Sequence, residues 1–168
     1  MTGTLSSVSE VELAMLIARG HVIRKVAQGS DILIGEAPYS GKVLDQAWAS
    51  VVEYPLPEEH FDWIIGSFGG LLIDHLRFQY GCEAKSLTDE HGTSICMVEP
   101  KTGAQLFPFD MIHRRVHEQK HDFFEPLLLG IQASLEPHGV RPRSAASAPP
   151  TANNPQQPKN WLSRLLGK

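Results

Sequence analysis

Cysteine is scarce in this chain, and long apolar runs are missing. Among 168 residues there are two cysteines, Cys82 and Cys96, too few for a disulfide framework and without Cys-x-x-Cys spacing. No stretch approaches the roughly eighteen consecutive apolar residues of a membrane span. The opening MTGTLSSVSEVELAML has no basic segment leading into an apolar one and a small-residue cleavage site. The expectation is therefore a cytoplasmic protein with reduced thiols. A Walker loop, a dinucleotide fingerprint, a Gly-x-Ser-x-Gly elbow and a His-Glu-x-x-His pair are all absent from the sequence. These absences remove the usual grounds for nucleotide, serine-nucleophile or zinc-protease chemistry, and no cofactor is expected.

Acidic residues stop at Glu136. Residues 1–136 hold all 19 acidic side chains and ten Lys or Arg, a balance of −9, whereas residues 137–168 hold five basic side chains and no acid. An acidic body offers no clustered basic surface for phosphates, so nucleic acid is not an expected partner. A protein partner, in particular a basic one, suits it better.

What is present is a hydrophobic content of 42 %, enough for one core, arranged in a readable order. Ser7 and Glu10 have capping-box spacing, and Val11, Met15, Ala18, Val22 and Val26 recur at helical intervals, predicting a helix from about Ser9 to Gln28. Val43, Leu44, Ala47, Trp48, Val51 and Val52 predict a second helix, ended by Pro55. The third runs from about Glu58 to Gly81, with Phe61, Ile64, Ile65, Phe68, Leu72 and Leu76 along one side. Gly66, Gly69 and Gly70 inside it each cost up to about 1 kcal/mol relative to Ala, which close packing of a neighbour would offset. Trp48 and Trp63 are expected in the core.

The period then changes. Cys82 to Thr88 and Thr93 to Glu99 form a hairpin closed by Asp89-Glu90-His91-Gly92, and Ala104 to Phe107 adds a third strand. Two more helices follow, about Asp110 to Gln119 and one opened by an Asp122/Glu125 box that carries Phe124, Leu127, Leu128, Ile131 and Leu135. The expected fold is α+β: N-terminal helices, a three-stranded antiparallel meander, then C-terminal helices, with the helices on one face of the sheet. Residues 1–137 make the domain, 138–159 a Pro-, Ala-, Asn- and Gln-rich linker, and 160–168 a short tail peptide.

Three stretches, FDWIIGSFGGLLIDHLRFQYG, TDEHGTSICMVE and LFPFDMIHRRVHE, together resemble the bacterial family of domains of unknown function numbered 3806. The matching positions are Glu90 and Gly92 at the hairpin turn, then Pro108, Met111, Ile112, Arg114 and Arg115, within residues of about 40–135. The resemblance implies a fold and a bacterial source. It supplies no activity and no catalytic residue.

Candidate chemistry is thin. His113 and His117 stand at i and i+4 and could hold a zinc ion with Asp110 as a third ligand, the basis for an alternative reading as a metal-assisted enzyme. Arg114 and Glu118 have the spacing of an exposed ion pair. Arg114 and Arg115, with Glu90 at the hairpin tip, could form a surface site for a charged partner, although turn tips are acidic for local reasons alone. Each group also reads as a solvated face.

The ending PKNWLSRLLGK returns to hydrophobic residues after a polar stretch. On a helix Trp161, Leu162, Leu165 and Leu166 share one face, with Arg164 off it. So short a helix is not stable alone in water and needs something to fold on. A partner protein, the protein's own body or a sister chain, and weak membrane-surface contact are the three candidates. The expected function is accordingly non-enzymatic protein–protein interaction, of the adaptor or immunity type.

Overall fold

A computed structural model of the chain describes residues 3–28, 32 and 34–143. Among the described residues the fold is α+β, five α-helices with a four-stranded antiparallel sheet. In chain order the elements are β1 (Thr4–Ser7), α1 (Glu10–Gln28), α2 (Gly41–Val51), α3 (Phe61–Tyr80), β2 (Glu83–Asp89), β3 (Gly92–Val98), β4 (Gln105–Leu106), α4 (Pro108–His117) and α5 (Phe124–Leu135). The sheet order is β1-β2-β3-β4, one strand more than the meander expected. The addition is β1, which pairs Thr4 to Ser7 with Thr88 to Lys85.

That strand also moves the first helix start. Ser7 is used in the sheet, so the capping box forms two residues on. Ser9 Oγ accepts the Glu12 N–H at 3.2 Å, and the Glu12 carboxylate accepts the Ser9 N–H at 3.1 Å and its hydroxyl at 2.8 Å. The hydrogen bonds hold the Glu12 carboxyl below its usual range.

The buried side of α1 is not the stripe of valines. Gly20, Ile23 and Ala27 face inward, and α1 crosses α3 at backbone distance. A Cβ on Gly20 would lie 2.8 Å from the Leu71 nitrogen, and one on Gly70 would collide with the Leu16 carbonyl oxygen. Gly69 likewise leaves the space that the Phe109 ring fills. The glycines inside α3 thus serve close packing, which offsets their helix cost.

Two apolar clusters result. In the first, Trp48 meets Phe68, Phe123 and Phe124 edge-on at centroid distances of 4.9, 4.9 and 5.9 Å. Aromatic pairs of this geometry add about 0.5–1.5 kcal/mol beyond area burial. In the second, Ile73 and Leu76 of α3 meet Met97 of the sheet and Ile131 and Leu135 of α5. Val140 is buried there too, and the Arg143 N–H donates to the Gln79 carbonyl at 2.8 Å, so the packed chain runs on to Arg143.

The second expected box does not form. Asp122 sits at φ 51° and α5 starts at Phe124 with no side-chain cap of its own. Asp45 of α2 supplies one instead, accepting the N–H groups of Phe124 at 2.7 Å and Glu125 at 3.1 Å. Arg114 and Glu118 do not pair either. Because α4 ends at His117, the Glu118 carboxylate turns back to Arg115 at 2.8 Å.

Candidate interaction surface

Val11, Met15, Ala18 and Val22, four members of the apolar repeat of α1, lie outside. Val11 is 69 % exposed, Met15 57 %, Val22 43 % and Trp63 of α3 40 %. Among the described residues six large apolar side chains are exposed, and these are four of them. Val22 and Trp63 line one shallow depression of about 280 Å³ with Arg19, Asp62 and Ser67, which joins the helix stripe to the start of α3. Trp63 therefore does not share the core position of Trp48.

The cause lies in the composition of α1. Its sequence, EVELAMLIARGHVIRKVAQ, is apolar on more than one side. The α3 backbone takes the face that carries Gly20, where Gly70 and Leu71 come within reach of its Cα. The valine and methionine face is left over. An exposed contiguous apolar patch on an otherwise polar surface marks an interaction site more often than a random exposed residue does. The sequence signal that could have found it was present: a helix with two apolar faces needs two partners.

A polar network lies at the other end of α1, and sequence reasoning missed it. The Tyr39 hydroxyl donates to Asp74 at 2.5 Å and accepts from the Arg24 guanidinium, which itself stands 3.4 Å from Asp74. The Tyr39 N–H donates to His75 Nδ1 at 3.0 Å. Burial and the Asp74 carboxylate raise the Tyr39 hydroxyl, and burial lowers His75 to about 4. His75 is therefore neutral at pH 7 and acts as an acceptor. The network ties the segment before α2 to α1 and α3.

His113 and His117 do meet, Nε2 to Nε2 at 3.0 Å, with the Phe61 ring edge-on to His117. Asp110 does not join them, and among the described residues no three His, Cys, Asp or Glu side chains could hold a metal ion. Glu90 is exposed at the hairpin tip 3.6 Å from His91 Nε2, while the Asp89 carboxylate accepts the His91 N–H at 2.8 Å. Arg115 pairs with Glu118 and lies over the Phe123 ring. No hydrogen bond or ion pair among the described residues links Glu90 to Arg114 or Arg115. Trp161, Leu162, Arg164, Leu165 and Leu166 lie outside the described residues. No helix among the described residues is long and apolar enough to cross a membrane. No family model, curated protein sequence or solved structure matches the chain.

Proposed function

We propose that this protein is a non-enzymatic protein–protein interaction module of the adaptor or immunity type, working in a bacterial cytoplasm. The observation that carries the reading is the exposed stripe of Val11, Met15 and Val22 continued by Trp63. Apolar and aromatic side chains set on a rigid helix are what interface centres are made of. The tail residues Trp161, Leu162, Arg164, Leu165 and Leu166 form a second contact element in this reading. The resemblance of residues of about 40–135 to the bacterial family numbered 3806 belongs with the proposal and brings no activity to it.

The test is a photo-crosslinking residue at Met15 in the native host. Crosslinks to a defined protein, lost when Val22 becomes Glu, are the expected result. Absence of any specific crosslink at native concentration would refute the reading. The second reading, a metal-assisted enzyme on α4, has the 3.0 Å contact of His113 and His117 in its favour. It requires a zinc-dependent rise in melting temperature that the His117→Ala variant loses.

A further inference from the structure

We infer that the partner for the outward face of α1 is a second copy of this chain, bound as an antiparallel, two-fold symmetric helix pair. This deepens the interaction reading above and rests on it.

The spacing along α1 is that of a helix–helix seam. Val11, Met15, Ala18 and Val22 are separated by four, three and four residues. That is the alternating d-a-d-a seam of a coiled coil, in which successive side chains drop into holes on a facing helix. An ordinary core stripe is wider and need not keep the 3.5-residue period. Ala14 and Ala18 are small and exposed, so a facing helix can come close.

Charge on the flank of the seam chooses both the occupant and the direction. With the seam fixed, Glu12 and Arg19 fall on the same flank, one residue beyond Val11 and Ala18. Two copies running antiparallel about a centre between Leu16 and Ile17 place Val11 opposite the partner's Val22, and Met15 opposite the partner's Ala18. The flanks then bring Glu12 toward the partner's Arg19 and Arg19 toward the partner's Glu12, two ion pairs from one symmetric contact. Parallel pairing would set Arg19 near the partner's Ala14 and make neither. Arg19 has no ion-pair partner among the described residues. Its guanidinium lies across Gly66, beside Val22 and Trp63, at the border of the seam. Trp63 would cover the partner's Val11.

The net charge of the helix differs from that of the body. α1 carries two acidic and three basic side chains, whereas residues 1–136 as a whole carry −9. A contact through α1 therefore brings together two helices of net +1 rather than two strongly acidic surfaces.

The full chain is tested by sedimentation across a concentration series. The expected result is a mass of two chains, and a shift to one chain when Met15 and Val22 are both replaced by Glu, with the melting transition of each monomer retained. Arg19→Glu and Glu12→Arg should each weaken the dimer at least tenfold, Glu12→Arg also costing the monomer its Ser9 capping box. An equimolar mixture of those two variants should restore it, because each mixed pair regains both opposite-charge contacts. Mixed Met15→Cys and Ala18→Cys chains should crosslink with each other and neither with itself. A wild-type chain that stays monomeric at about 100 μM overturns the inference, as does a dimer that survives Met15→Glu with Val22→Glu. A dimer lost on deleting residues 160–168 would assign the contact to the tail and also overturn it. If the chain is monomeric but the Met15 crosslinks to another protein persist, only this inference falls. If both are missing, the interaction reading falls with it.

Discussion

Asp45 caps a helix that begins 79 residues later in the chain. Its carboxylate takes the N–H groups of Phe124 and Glu125 at 2.7 and 3.1 Å while remaining only 8 % exposed. A negative charge at a helix N-terminus is favourable, and two free N–H groups left in a buried place are not. Replacing Asp45 by Ala should cost about 2 kcal/mol. Asp45→Asn, which keeps one acceptor, should cost less. Chemical denaturation of the two variants checks the order.

Gly70 and Gly130 are both helical and should respond oppositely to Ala. A side chain on Gly70 meets the Leu16 carbonyl across the α1–α3 crossing, so Gly70→Ala should destabilise by about 1–3 kcal/mol despite the gain in helix propensity. Gly130 of α5 has open space where a Cβ would go, so Gly130→Ala should stabilise by about 0.5–1 kcal/mol. Melting temperatures moving the same way in both would contradict the packing described.

His75 sets a pH dependence. Its folded pKa is about 4, lowered by burial, against the usual 6.5 when unfolded. The unfolded chain therefore binds the proton first as pH falls. The contribution of His75 is complete above about pH 6.5 and is lost progressively as pH falls through 4, on the order of 3 kcal/mol in all. His21, lowered by burial and by Arg24, acts in the same direction. Stability curves at pH 7 and pH 5 should lie closer together in His75→Gln than in the wild-type chain.

Burial raises the Cys82 thiol to about 12, with Glu99 adding to the effect, and burial raises Cys96 as well. Neither forms the reactive thiolate at neutral pH. A chromogenic thiol reagent should leave the native protein almost untouched over minutes and label two thiols at once in denaturant. Fast native labelling would mean that the sheet region opens.

The readable parts of the fold were those whose signals are local. The third helix has its 3.6-residue stripe and ends at Gly81, in the left-handed conformation at φ 71°. The hairpin has a Gly-bearing turn between Thr-rich segments. The strand TLSS was not readable, because four exposed residues carry no alternation. The Asp45 cap was hidden because its partner is remote in sequence, and Asp122 stood nearer as a plausible substitute. The inner face of α1 was not readable for a physical reason. Val11, Met15 and Val22 look more like a core stripe than Gly20 does, yet a small residue wins where two backbones must approach. The candidate surface was thus present in the sequence as an apolar repeat, with nothing local to say which way it faces.

The short β1 has a consequence for the other end of the fold. A sheet border is a row of unpaired backbone donors and acceptors, open to any extended chain that meets it. β1 occupies that position along Lys85 to Thr88 of β2, with Ser6 Oγ reaching the Ser86 carbonyl at 3.5 Å. Trimming the chain to residue 9 would leave α1 its capping box and its outward face. It would also uncover a strand containing Leu87, a template for fibrous growth, so Thr4–Ser7 act as a guard rail on the sheet.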